Sequence, residues 1–418
     1  MRRRFRAGPA CTAAALLLTV LCTGQAPAAA PPGRADLDPV TVERLDGAIQ
    51  AAMRQAGIPG VNVGLWIDGR GDYVRAFGVS EKSSGTPMKT DLFSRIGSVT
   101  KTFTITALLR LVDAGRVGLD DPVSDYVPGV PGGDAITVRQ LADMRSGLYD
   151  YTDDQKLLTT MKADPHRSWS PRQLLDIAFS HPAGFAPGTK WQYSNTNTVL
   201  LGLLIEKVSG KKLGDYIRQE VLGPVGLEDT VFPTDSTIPD PYAHGYTDFT
   251  PSGKTADASR WNPSWAWAAG AMISDLDDLH TWVPALVSGR LPDGKPLVKP
   301  ATQAQRLAVE PTGHPGIKYG LGIMEVNGWF GHNGELPGYE SLTIRLPSQG
   351  ATLVVLINSD IDGTTGSLSS LIGRTVTEIA TPAHPFTVPA AARPKAPSPD
   401  SSPSSPAPSP NRSPGPPR

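Results

Sequence analysis

The chain has 418 residues, 39% hydrophobic and 19% charged, ordinary globular proportions that exclude wholesale disorder. Its formal net charge is −1, and loss of a leader carrying Arg2, Arg3, Arg4 and Arg6 would leave 35 basic against 40 acidic residues. Nucleic-acid binders are basic, so no nucleic-acid partner is expected.

The first elements belong to export. A basic stretch to Arg6, an apolar run from Cys11 to Cys22 and the small residues Ala26-Pro27-Ala28 form a secretory signal, residues 1–28, with cleavage after Ala28. The apolar run of 12 residues is too short to span a bilayer, and Leu21 before Cys22 does not suit lipid attachment. A secreted, extracellular protein without a stable membrane anchor is therefore expected. Cys11 and Cys22 are the only cysteines, so the exported chain has no disulfide, no thiol nucleophile and no thiolate metal site.

Residues 29–388 then have to fold. Thr41–Gln55 has helical apolar spacing (Val42, Leu45, Ile49, Met53) and stops at Gly57. Two strand-like runs, Val61–Ile67 and Tyr73–Val79, flank the turn residues Asp68-Gly69-Arg70-Gly71. A helical pattern returns from Val99 to Ala114. Helices dominate from about 136 to 228, including a start at Ser170-Pro171 and an apolar helix from Thr198 to Val208 closed by Gly210. Ser274 and Asp277 resemble a capping box for a helix running to about Leu286. Strands at Gly328–His332, Ser341–Leu346 and Ala351–Ile357, with turns at Glu335–Gly338 and Ser348–Gly350, form an antiparallel meander, and a last helix covers Ser367–Ile379.

Strands at both ends around a helical middle predict an α/β (α+β) fold: one antiparallel sheet built from both chain ends, flanked by helices, with an inserted mainly helical domain. The sheet part is expected at about 37–98 and 270–385 and the helical part at about 99–269. Residues 389–418 form a Pro/Ser-rich tail. Residues 394–418 hold ten prolines and seven serines, a composition that builds no core. The tail's excess of three positive charges would suit anionic wall polymers, and a plain spacer is the simpler reading.

Three motifs carry chemistry. In Ser98-Val99-Thr100-Lys101, at the start of a helical pattern, residues three apart share a face, so a lysine amine can reach a serine oxygen where helix-end donors favour negative charge. Such a serine is a candidate nucleophile. Ser209-Gly210-Lys211-Lys212 has the same spacing but lies where a helix ends. Tyr193-Ser194-Asn195 offers a phenol that, with its pKa lowered beside a lysine, would carry protons, and an amide to bind lysine and substrate. His332-Asn333-Gly334 closes a predicted strand, where a substrate backbone can pair alongside and a polar or cationic residue can relay a proton or anchor a charge. His314-Pro315-Gly316 has the same letters but lacks the strand.

Together these motifs resemble the penicillin-recognising serine hydrolases, specifically the class C β-lactamase and actinomycete D-alanyl-D-alanine carboxypeptidase branch. The wording around them is similar as well: Phe93 to Lys101, Arg145-Ser146-Gly147-Leu148-Tyr149-Asp150-Tyr151, Tyr193 to Asn197, and Ser264-Trp265-Ala266 through Gly270. The resemblance covers about residues 40–380 and implies a β-lactamase/transpeptidase-like fold. It implies that Ser98 is acylated, that Lys101 and Tyr193 share base and acid work, and that Asn195 holds the substrate amide. It further implies an oxyanion hole from the amides of Ser98 and Glu335, a pocket wall at Trp265, and neither metal nor organic cofactor.

Two departures bear on the substrate. Met324 stands where the carboxypeptidases carry a basic residue for the substrate carboxylate, and Asn333 and Glu335 replace hydroxyl residues around Gly334. Arg345 on the next strand is a candidate compensating cation. Gly289 to Lys295 matches most of a phosphate loop, but Pro296 replaces its Ser/Thr. The seven histidines show no zinc spacing, and a Gly-x-Ser-x-Gly elbow is missing. The expectation is a secreted serine D-alanyl-D-alanine carboxypeptidase acting on peptidoglycan peptides, acylated by β-lactams, with association at the cell wall. The alternatives are a related esterase, amidase or β-lactamase acting on other small acyl substrates, or an idle penicillin- or peptide-binding protein.

Overall fold

The computed structural model describes residues 36–361 and 367–388. The proposed signal (1–28) and the Pro/Ser tail (389–418) lie outside the described residues. Helix α1 (Pro39–Ala56) is capped by Asp38 and ends at Gly57 in the left-handed conformation. The Asp68–Gly71 turn then joins β1 (Gly60–Ile67) to β2 (Gly71–Glu81) as a hairpin.

Among the described residues, nine strands form one sheet. After β2 comes the short β3 (Thr86–Pro87), and the rest arrive near the other end of the chain: β4 (Glu310–Pro311), β5 (Ile317–Tyr319), β6 (Met324–Val326), β7 (Trp329–Leu336), β8 (Tyr339–Leu346) and β9 (Ala351–Ile357). The order is β3-β2-β1-β9-β8-β7-β6-β5-β4, with every pairing antiparallel. The join between the two chain ends is β1 on β9, in register from Val61 opposite Ile357 to Ile67 opposite Ala351.

Strand periodicity explains why the sheet is covered on both faces. Val61, Val63, Leu65 and Ile67 alternate toward one side, where they share a core with Leu353, Val355, Ile357, α1 and α6 (Leu368–Ala380). Trp66, Val354 and Leu356 face the other way, into a core shared with α2 (Thr100–Asp113), α4 (Asn195–Ser209) and α5 (Leu276–Ser288). The helix begun at Ser170-Pro171 is α3 (Pro171–Phe179), with a complete capping box between Ser170 and Gln173.

Two expectations change in detail. The N-cap of α5 is Asp275, which accepts from the Asp278 amide at 2.8 Å, while Ser274 belongs to a short bridge and its hydroxyl meets Thr230. Strand β7 does not stop at His332 but runs to Leu336, leaving only Pro337-Gly338 as the turn. Leu336 is buried, and Gly334 has no side chain to obstruct the passing backbone.

Strand β6 covers only Trp329–Gly331 of β7. Among the described residues, no strand pairs with that side of residues 332–336, and residues 96–98, just before α2, pack against β7 at Gly334 and Glu335.

Candidate active site

Ser98 sits in a single 3-10 turn, Gly97–Val99, that leads directly into α2. Residues 99–109 are all buried, so α2 is the central helix of the helical side, and Lys101 on its first turn has no access to water. Burial therefore pushes the Lys101 amine down to about 7 from its usual 10.5, while the nearby Asp150 charge acts in the opposite direction. Its Nζ lies 2.9 Å from Ser98 Oγ, 2.7 Å from Asn195 Oδ1 and 2.8 Å from the Ala269 carbonyl. An ammonium would donate to all three. A neutral amine would keep two donors for the two carbonyl-type oxygens and turn its lone pair to the serine hydroxyl.

The other Ser-x-x-Lys does not assemble. Gly210 ends α4 in the left-handed conformation, Ser209 Oγ accepts from the Lys211 amide, and the Lys211 amine goes to Gln219.

Tyr193 and Asn195 flank the start of α4. Lys101 Nζ stands 4.8 Å above the Tyr193 ring, and the phenol hydrogen-bonds Ser98. The expected lowering of the phenol does not occur: burial pushes it above its ordinary value, outweighing the Ser98 bond, so Tyr193 is a neutral hydrogen-bonding phenol. Asn195 departs from expectation too. Its Nδ2 donates to Asp150 Oδ2 at 3.1 Å and to Thr152 Oγ1 at 3.2 Å, so both amide protons are engaged within the protein and the substrate-amide role is not set up in this arrangement.

His332 lies on β7, 2% exposed. Its Nδ1 donates to the Asn333 carbonyl at 2.5 Å, which leaves Nε2 to accept from the Tyr319 hydroxyl at 2.9 Å. Burial, reinforced by Lys101, holds the imidazole down to about 3. It is therefore neutral, and the cationic anchoring considered for this position is corrected to a buried, doubly bonded imidazole.

Glycine brings β7 against the nucleophile turn. A Cβ on Gly334 would stand 2.0 Å from the Ile96 carbonyl oxygen and 2.8 Å from the Ser98 amide nitrogen. One on Gly97, whose φ is +49°, would stand 2.4 Å from the Glu335 amide nitrogen. Only bare backbone fits there, and the amide nitrogens of Ser98 and Glu335 both border this contact.

A cleft of about 690 Å³ opens over this contact. It is lined by Ser98, Tyr193, Asn195, Trp265, Met324, His332, Asn333, Gly334 and Glu335, so the residues of the three motifs meet at one place with Trp265 and Met324, and Lys101 lies directly behind Ser98. Among the described residues, no lysine or arginine lines the cleft. Arg345 does not compensate, because its guanidinium bonds Thr352 and Asp68 away from it. Among the described residues, no three His, Cys, Asp or Glu side chains form a metal-ligand cluster. Gly289–Lys295 is a surface loop closed by an Arg290–Pro296 bridge.

A sequence model described as Beta-lactamase matches residues 45–374 of this chain. The chain belongs to the Beta-lactamase family. It is a serine hydrolase of that family with the β-lactamase/transpeptidase-like fold. A D-stereospecific amidohydrolase from Streptomyces sp. is 34% identical, with a TM-score of 0.71 over 81% of this chain and 97% of that one. A D-amino acid amidase from Ochrobactrum anthropi SV3, solved with D-phenylalanine, is 29% identical, with a TM-score of 0.69 over 80% and 98%. Penicillin-binding protein 4* of Bacillus subtilis is 27% identical over 307 residues, 69% of this chain and 66% of that protein. The chain thus spans just under two thirds of that curated relative's length.

Within the Beta-lactamase framework the structure adds residues that the motifs did not single out. Trp191, Tyr319, Thr152 and His314 line the cleft, and Asp150 lies behind Asn195. His314 was set aside as a loop histidine, yet its loop folds over the cleft with the ring edge-on to Trp191, 6.0 Å between centroids. Asp150 had a signal, because it falls inside the Arg145–Tyr151 segment, but spacing alone gave that segment no chemistry.

Proposed function

We propose that this protein is a secreted acyl-transferring amidohydrolase that cleaves amide, peptide or ester bonds through an acyl-enzyme on Ser98, and that its leaving groups are uncharged. The observation that carries the mechanism is the Lys101 amine, shared among Ser98 Oγ, Asn195 Oδ1 and the Ala269 carbonyl. With two of its partners fixed as acceptors and its pKa near 7, neutral Lys101 takes the Ser98 proton as Oγ attacks the carbonyl carbon. We assign the amides of Ser98 and Glu335, brought together by the Gly97–Gly334 contact, to the developing oxyanion. Neutral Tyr193, hydrogen-bonded to Ser98, hands a proton to the leaving nitrogen or oxygen as the tetrahedral carbon collapses to the acyl-enzyme. The Lys101 ammonium then returns its proton to the Tyr193 oxygen, which restores the neutral amine and the phenol. Water entering the cleft gives a proton to that amine as it attacks the ester carbonyl, and Lys101 passes the proton to Ser98 Oγ as the ester C–O bond breaks, freeing the acid.

The cleft's lining supports the substrate reading. Trp191, Tyr193, Trp265 and Tyr319 provide aromatic walls, Met324 occupies the position expected to hold a cation, and Glu335 sits exposed at the rim. Among the described lining residues a negative substrate terminus finds no lysine or arginine, whereas a neutral amide, or an acyl group with an amine near Glu335, meets compatible surroundings. The similarity to a D-stereospecific amidohydrolase and a D-amino acid amidase favours D-amino acid amides or short D-peptides as the substrate class.

A D-alanyl-D-alanine carboxypeptidase acting on wall peptides is the second reading, supported by the similarity to penicillin-binding protein 4*. β-Lactams would acylate Ser98 on either reading. Side-by-side turnover of D-phenylalanine amide and of an acylated peptide ending in D-Ala-D-Ala separates the two. Preference for the amide is expected, and preference for the peptide would favour the carboxypeptidase.

A further inference from the structure

Asp150 is 6% exposed, and among the described residues it forms no ion pair with a lysine or arginine. Its Oδ1 accepts from the Thr152 amide at 3.1 Å and its Oδ2 from Asn195 Nδ2. Its loop is pinned to the first turn of α4 by Thr196, whose hydroxyl donates to the Tyr149 carbonyl and accepts from the Tyr151 amide. A neutral asparagine could accept the Asn195 proton with less desolvation cost, so structure alone does not account for a buried carboxylate here.

The chemistry of Asn195 supplies the account. An amide turned over by 180° would aim its NH2 group at the Lys101 amine and its oxygen at the Asp150 carboxylate, opposing donor to donor and oxygen to oxygen. We propose that Asp150, assisted by Thr152, is a positioning residue that locks the Asn195 amide as a permanent acceptor for Lys101 and so holds the lysine amine on Ser98. This rests on the acyl-enzyme reading of Ser98 given above.

The carboxylate also acts through space, raising the Lys101 pKa against the lowering caused by burial. The titratable groups facing this network are Lys101 from α2, Tyr193 at the start of α4, His332 from β7, and Tyr149, Tyr151 and Asp153 from the loop of Asp150 itself. His181 stacks on Tyr149 and bonds Asp154 at the edge of the group.

The test is the pH dependence of kcat/KM between pH 5 and 9 for p-nitrophenyl butyrate, which does not itself titrate. Asp150→Asn keeps the size and one acceptor oxygen but removes the charge, so the acid limb should move to lower pH. Thr152→Val removes an acceptor and no charge, so it should lower the rate without moving the limb. Asp150→Ala should do both, with a loss of at least about tenfold at neutral pH. A merely structural role would lower the melting temperature and leave the limb in place. Wild-type kcat/KM in Thr152→Val and in Asp150→Ala, measured above the acid limb, would overturn the proposal, because the Asn195 amide would then hold Lys101 on Ser98 without either partner. A wild-type protein whose turnover survives Ser98→Ala would instead overturn the acyl-enzyme reading, and this inference with it.

Discussion

Gly97 lies so close to Glu335 that a single methyl group on it would stand 2.4 Å from the Glu335 amide nitrogen and 2.9 Å from its carbonyl oxygen. Two segments more than two hundred residues apart in sequence thus meet backbone to backbone beside Ser98. Gly97→Ala should push β7 away from Ser98 and also strain a backbone whose φ is +49°. Losing one oxyanion donor costs roughly 10²–10³ in rate, so acylation should fall by about that factor, with destabilisation of roughly 1–3 kcal/mol. Stopped-flow acylation and thermal melts measure both, and wild-type acylation in a folded Gly97→Ala protein would remove this contact from the mechanism.

With Lys101 as the proposed base, its amine should set the pH dependence. A base must be deprotonated to act, so activity should fall as the pH drops through about 7, where the buried amine gains its proton. Lys101→Arg keeps a charge that cannot be shed, and should reduce kcat/KM by roughly 10²–10⁴ while abolishing that limb. A rate flat from pH 5 to 9 in the wild type would assign the base elsewhere.

Cleft charge should govern substrate choice. Met324 is buried in the cleft wall beside Tyr319 and Gly331. Met324→Arg should raise cleavage of a peptide ending in D-Ala-D-Ala relative to a neutral ester, and the measure is the ratio of the two kcat/KM values. An unchanged ratio would take Met324 out of the specificity argument.

Acid stability offers a check that involves no substrate. The His332 pKa is about 3 in the folded chain against an ordinary 6.5, so between these values the unfolded chain binds the extra proton. The stability tied to the neutral imidazole is complete above about pH 6.5 and declines as the pH falls toward 3, at up to ~1.4 kcal/mol per unit. His332→Asn should therefore show a shallower loss of Tm over that interval than the wild type, and parallel curves would contradict the buried neutral assignment.

Long periodic elements were legible from the residues themselves. The hairpin of β1 and β2, helices α1, α2 and α4, and strands β8 and β9 follow from apolar spacing bounded by Gly57, Gly210 and Gly350. Strands β4 to β6 were not legible, because each is only two or three residues long and too short for a period to show. The motif residues around the cleft were found because each sits at an element boundary with distinctive spacing. Thr152, Trp191 and Tyr319 were missed because they reach the cleft through tertiary packing that no local pattern encodes. The ionisation of Tyr193 and His332 was misjudged for the same reason: burial, which shifts both, is a property of the assembled core.

The central claim is that Ser98 is the nucleophile acted on by Lys101, and intact-mass analysis of the purified protein mixed with a penicillin tests it most directly. One covalent adduct of the penicillin's mass is expected, mapped to the Ser98 peptide, absent in Ser98→Ala and strongly slowed in Lys101→Arg. A wild-type protein that stays unmodified at high penicillin concentration, or an adduct that persists in Ser98→Ala, would contradict it.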